Sequence, residues 1–177
     1  SYLESLENNG EAVELFKKAD GSIDFKAAPL RKKYITDFPV NKDTIKDAPI
    51  MIYEHPMEAK PPMGLYIAGA DPYNQSQSIN SESLGTLYIY KRMYDVVGGT
   101  YQDQTVASYA ARPSTMKEWH ENIELLLEYY NAICMPENEG GTFIQYFDQK
   151  NKSHLLADGY SLSRQINPKS SITGRIK

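Results

Sequence analysis

Residues 64–75 read GLYIAGADPYNQ. A short apolar run, Leu65 to Ala70, carries the chain straight to Asp71. Pro72 then stops the segment from continuing as a central ladder member, because proline has no N–H to donate. A short apolar run bounded by such breakers predicts a buried strand. The carboxylate at its tip admits two readings. Asp-Pro commonly opens a turn, and a strand end is also where a metal-binding carboxylate is held rigidly.

Working outward, the polar stretch NQSQSINSES (74–83) reads as a loop. Gly85–Met93 (GTLYIYKRM) alternates as a second strand, and Tyr94–Gln102 (YDVVGGTYQ) reads as a third, giving an antiparallel meander. In ARPSTMKEWHENIELLLEYYN, Thr115 and Glu118 have capping-box spacing. Trp119, Ile123, Leu127 and Tyr130 follow on one helical face, with Leu126 beside them, and the helix is expected to end at Asn131. The apolar AICMPEN reads as a strand, GTFIQYFDQ as a short helix, and SHLLADGY as a strand or a loop. A strand that follows a crossover helix is expected to lie parallel to an earlier one. Its natural partner is GLYIAGA.

Upstream, EAVELFKKAD places Ala12, Leu15, Phe16 and Ala19 at helical spacing and predicts a helix stopped by Asp20-Gly21. Residues 21–63 hold six prolines and mixed charge, and read as an arm with short extended pieces, PIMIYEHP among them. The Pro61-Pro62 pair makes a stiff joint.

Composition bounds the function classes. The 177 residues are 41% hydrophobic and 24% charged, enough for a sizeable core in one domain. Tyr is frequent, at 14, and its apolar body with a polar tip suits half-buried positions. No apolar run is long enough for a membrane span, and the N-terminus lacks the pattern of a secretory signal. The single Cys134 makes neither an internal disulfide nor a zinc cluster; within AICM it reads as a small buried hydrophobe. The net charge is −4, but residues 141–177 carry six Lys or Arg against two acids, which is +4 for that part and −8 for the first 140 residues. A basic end can meet phosphates or simply be solvated. There is no GxxxxGK[ST], GxGxxG or HExxH, and DGYSLS is not a nucleophile elbow. Both ends of the chain, Ser1 and SSITGRIK, read as cuts in a longer protein.

Asp71 in AGADPYN and Glu137 in CMPENEGG occupy equivalent places, each after an apolar strand and next to a proline. In adjacent parallel strands their backbones would lie about 4.8 Å apart. Two carboxylates that close repel, and a divalent cation relieves the repulsion. Oxygen ligands suit Mg²⁺ or Mn²⁺, with open positions for water and phosphate oxygens. A pair of such ions can activate water and stabilise the leaving oxygen of a phosphodiester. The alternative is that both acids cap turns.

Taken together, YIAGADPY, SLGTLYIYKR and the run from ARPSTMKEW to ENEGGTFIQYF resemble the C-terminal nuclease domain of the large terminase subunit of tailed phages, over roughly residues 52–177. The resemblance implies an α/β fold, a ribonuclease H-like mixed sheet of three antiparallel strands, then a helix and a parallel strand, flanked by helices. It implies that Asp71 and Glu137 are catalytic metal ligands for two Mg²⁺ or Mn²⁺ ions. YITDFPVNKDTI is similar to the segment leaving the ATPase domain in that family. Residues 1–50 would then be the inter-domain connection after an ATPase domain, and 51–177 a nuclease domain truncated at its C-terminal end. The implied activity is cleavage of concatemeric double-stranded DNA during packaging. The implied partners are the ATPase domain, the portal and the small terminase subunit, in the host-cell cytoplasm on the prohead and away from any membrane.

The family's third acid sits on a later helix, expected beyond Lys177, without which the fragment would be inactive. Asp158 and Glu139 are the nearest substitutes, and Lys150, Lys152 and Arg164 are candidate DNA-backbone contacts. Two rivals accompany this reading: a recombination or repair nuclease of the same fold, and a non-catalytic docking module of the packaging motor, which the tyrosines and the acidic N-terminal part would suit.

Overall fold

The computed structural model describes residues 10–36, 38–41, 43–57, 59–73, 83–92, 95–96, 99–100, 104–137 and 141–158. Its strands are β1 (Glu11–Lys17), β2 (Ile23–Ala27), β3 (Ile50–Ile52), β4 (Tyr66–Asp71), β5 (Gly85–Lys91), β6 (Asp95–Val96), β7 (Gly99–Thr100), β8 (Gln104–Ala111) and β9 (Ile133–Pro136). Its helices are α1 (Met116–Tyr130) and α2 (Thr142–Gln149), followed by a 3₁₀ turn at Ser153–Leu155. Seven strands form one mixed sheet in the order β2-β1-β3-β8-β5-β4-β9, and β6 and β7 make a separate two-stranded ribbon. The β4–β5 and β5–β8 pairs are antiparallel, whereas β4–β9 is parallel. GLYIAGA and AICMPEN are therefore neighbours, joined through the long helix as their order implies. The chain is a mixed α/β fold with helices flanking the sheet.

Helix α1 begins where the sequence places it. Thr115 is extended and its hydroxyl accepts from the Glu118 N–H at 3.1 Å, satisfying one of the free amides of the first turn. Asn131 ends the helix in the left-handed region, φ 47°. Its apolar face, Trp119, Ile123, Leu126, Leu127 and Tyr130, is buried. Each such side chain contributes about 1.5–3 kcal/mol of transfer free energy. The face meets Tyr66, Ala68 and Ala70, the alternate residues of β4 that are buried, and the Tyr66 and Tyr130 rings meet edge-on at 5.1 Å.

Two expectations are corrected. Glu11–Lys17 is a strand, not a helix: Val13 and Leu15 are buried with period two, and pairing to β2 and β3 overrides the helical spacing of Leu15 and Phe16. With β2 and β3 it extends the sheet. The third strand of the meander is β8, and the described residues of Tyr94–Gln102, 95–96 and 99–100, form the β6–β7 ribbon. The run QTVASYAA is rich in small residues of low strand preference, yet Val106 to Tyr109 are all buried between β3 and β5. The described part of SHLLADGY, residues 153–158, supplies the 3₁₀ turn and a parallel bridge, Leu156 to Cys134.

Candidate functional site

Asp71 and Glu137 come together through the β4–β9 register. Ile67, Ala68, Gly69 and Ala70 face Ile133, Cys134, Met135 and Pro136 in turn. The Glu137 N–H donates to the Ala70 carbonyl at 2.7 Å, so the ladder carries on to the acid itself. Asp71 and Glu137 are thus the next facing positions on strands spaced about 4.8 Å apart. Pro136 fits this edge strand because the bond to β4 comes from Glu137.

Alternation decides which way the acids point. Tyr66, Ala68 and Ala70 turn to α1, whereas Ile67, Gly69 and Asp71 turn to the other face. On β9, Cys134 and Pro136 are buried while Met135 and Glu137 are exposed. Both carboxylates therefore occupy the face away from α1. Beyond Asp71 the chain turns inward. Tyr73 is buried, its ring lies edge-on to Trp119 at 5.9 Å, and the Arg112 guanidinium sits 4.4 Å above it. The strand tip is pinned on both sides.

The two acids line one open depression of about 430 Å³ with Gly69, Thr86, Tyr88 and Met135. Thr86 is the cross-strand partner of Asp71. Sequence reasoning missed these neighbours, since only register brings them to the acids; the glycine inside an apolar strand was the available signal.

Asp158 is exposed and follows Ala157, whose N–H donates to the Cys134 carbonyl at 2.7 Å. It lies along the outer side of β9, away from β4. Lys152 is turned to α1, where it pairs with Glu124 and Glu128. Burial works to raise the Glu124 carboxyl, but the bonds from Lys152 and Tyr146 outweigh it and hold the group below its ordinary range. Lys150 is exposed, its ammonium 5.7 Å from the Tyr146 ring. Glu139 and Arg164 lie outside the described residues. Cys134 is buried, and desolvation pushes its thiol up to about 12, as for an inert core cysteine.

The donor set suits a hard cation: two exposed carboxylates on one face at neighbouring strand ends. Among the described residues, no group of three or more His, Cys, Asp or Glu forms a metal-holding cluster, so the site there is a pair. No helix among them is long and apolar enough to cross a membrane. Comparisons with family models, curated proteins and solved structures find no match to this chain.

Proposed function

We propose that this chain is a metal-dependent DNA endonuclease domain of the terminase large-subunit type, with a ribonuclease H-like sheet. The observation that carries the reading is the register that sets Asp71 and Glu137 side by side on one open face. The strand order β8-β5-β4-β9, with β9 parallel to β4, supports it.

Asp71 and Glu137 would hold Mg²⁺ or Mn²⁺, which when bound supplies Lewis acidity and an activated water for phosphodiester hydrolysis. Ionised carboxylates only accept hydrogen bonds, so alone they repel a phosphate. Their task is to hold positive charge at the sheet edge, and the ladder bonds beneath them fix where it sits. Asp71, on β4 between β5 and β9, and Glu137, at the end of β9, are the residues that would hold the metal.

The test, on protein that continues past Lys177 so that the family's third acid can be present, is calorimetric titration with Mn²⁺ alongside Mn²⁺-dependent nicking of supercoiled plasmid. Asp71→Ala is expected to abolish both, with an unchanged circular dichroism spectrum. Undiminished nicking by that variant, or no Mn²⁺ binding by the parent protein, overturns the assignment and favours a docking module.

A further inference from the structure

The rows of the sheet behind the acids define a second feature. Gly69 pairs with Tyr88 on β5 and with Met135 on β9, so these three residues form one row across the open face. The next row is Thr86, Asp71 and Glu137. Behind Gly69, Ile67 pairs with Tyr90 and Ile133. Tyr88 and Met135 are both 47% exposed and Ile67 is 40% exposed. The result is a slot: a glycine floor, an aromatic wall, a thioether wall, an apolar back, and a front that opens onto two carboxylates.

Nothing in the backbone asks for glycine at position 69. Its φ is not positive, and a Cβ added there would meet no atom within 4 Å. Glycine inside a strand weakens it, and one with no conformational reason often marks close approach of a ligand. The depression, about 430 Å³, falls in the range of small-molecule sites. A flat ring fits between an aromatic face and a polarisable thioether, and stacking on a tyrosine needs no hydrogen-bond match.

We infer that the Tyr88–Gly69–Met135 slot takes a nucleobase of the DNA strand, the one flanking the phosphodiester held at Asp71 and Glu137. The inference rests on the nuclease reading and adds a base subsite to it. A base lying between the Tyr88 ring and the Met135 thioether has left its own stack, so the strand is expected to be locally unpaired there even when the substrate is a duplex. An unpaired strand gives its base up at little cost, whereas a duplex must first be unstacked.

The experiment measures fluorescence anisotropy of a short fluorescein-labelled single-stranded DNA in Ca²⁺, with the same sequence as a duplex in parallel. Gly69→Val fills the slot in a residue type that favours strands. It is expected to weaken single-strand binding about tenfold, the order of one lost base stack, while its Tm holds or rises. Tyr88→Ala should lose a similar factor and Tyr88→Phe should retain binding, because the ring rather than the hydroxyl makes the contact. An aminopurine base in the strand should lose fluorescence on binding the parent protein and keep it with Tyr88→Ala. Equal binding by the parent, Gly69→Val and Tyr88→Ala proteins overturns the subsite, as does equal binding of duplex and single strand by the parent. If Mn²⁺-dependent nicking is still lost in Asp71→Ala, the nuclease reading survives that result. Loss of Mn²⁺ binding with an intact Tyr88 effect would instead strike the nuclease reading.

Discussion

Lowering the pH from 7 to 5 is expected to cost this fold about 2 kcal/mol through one residue, His120. It lies on the buried side of α1, 5% exposed, among the rings of Trp119, Phe143 and Tyr146. Its Nε2 has no hydrogen-bond partner among the described residues. Burial therefore disfavours the imidazolium and pushes the group down to about 4, from an ordinary value of 6.5. The unfolded chain takes up the proton first as the pH falls. The stabilisation from a neutral His120 is thus complete above 6.5 and is lost as the pH falls from 6.5 towards 4. The titratable group packed against the imidazole is Tyr146, whose hydroxyl donates to Glu124 at 2.5 Å. Burial, then the Glu124 carboxylate, pushes Tyr146 far above its usual range, so it stays protonated throughout. Glu124 is itself held below the ordinary carboxylate range, so its stabilising contribution persists through this window and is lost only at lower pH. The assay is urea unfolding at pH 7, 6 and 5 for the parent protein and for His120→Phe, which keeps a ring in the cavity. The variant should show a slope with pH smaller by about 1 kcal/mol per unit in this window. Equal slopes for the two proteins would refute the argument, as would an NMR titration of His120 with its midpoint near 6.5.

Two further outcomes test the packing. Gly85→Ala would bring a Cβ to 2.5 Å from Cε2 of Trp119, an indole with no exposed surface, so overpacking is expected to cost about 1–3 kcal/mol, read as a lowered Tm. Lys152→Met removes the cation between Glu124 and Glu128 and is expected to destabilise by about 1–3 kcal/mol in urea, with DNA affinity unchanged at matched folded fraction. A weakened salt dependence of DNA binding in that variant would return Lys152 to the phosphate contacts.

Helix α1, its Thr115 cap and its Asn131 stop were legible because local chemistry alone specifies them. The same holds for β4 and β9: a short apolar run followed by an acid and flanked by proline reads as a strand end wherever it packs. Their pairing was also inferable, since a helix between two strands favours a parallel return. Strands β1 and β8 were not legible. Leu15 and Phe16 fit a helix as well as a strand, and half of β8 is Ala or Ser, whose strand preference is weak; partners on both sides, β2 and β3 for the one, β3 and β5 for the other, made strands of them.

The sequence by itself determined the chemistry at the candidate site: two carboxylates, Asp71 and Glu137, each at the tip of a short apolar run. Tertiary structure decided everything that depends on register. It turned both acids to the face away from α1, set Thr86 beside Asp71, and lined up Tyr88, Gly69 and Met135 into a slot behind them. The reason is geometric. A strand's alternation is written in its own residues, but which residue of another strand stands opposite is fixed only when the ladder closes, and a slip of one position would turn every side chain to the other face.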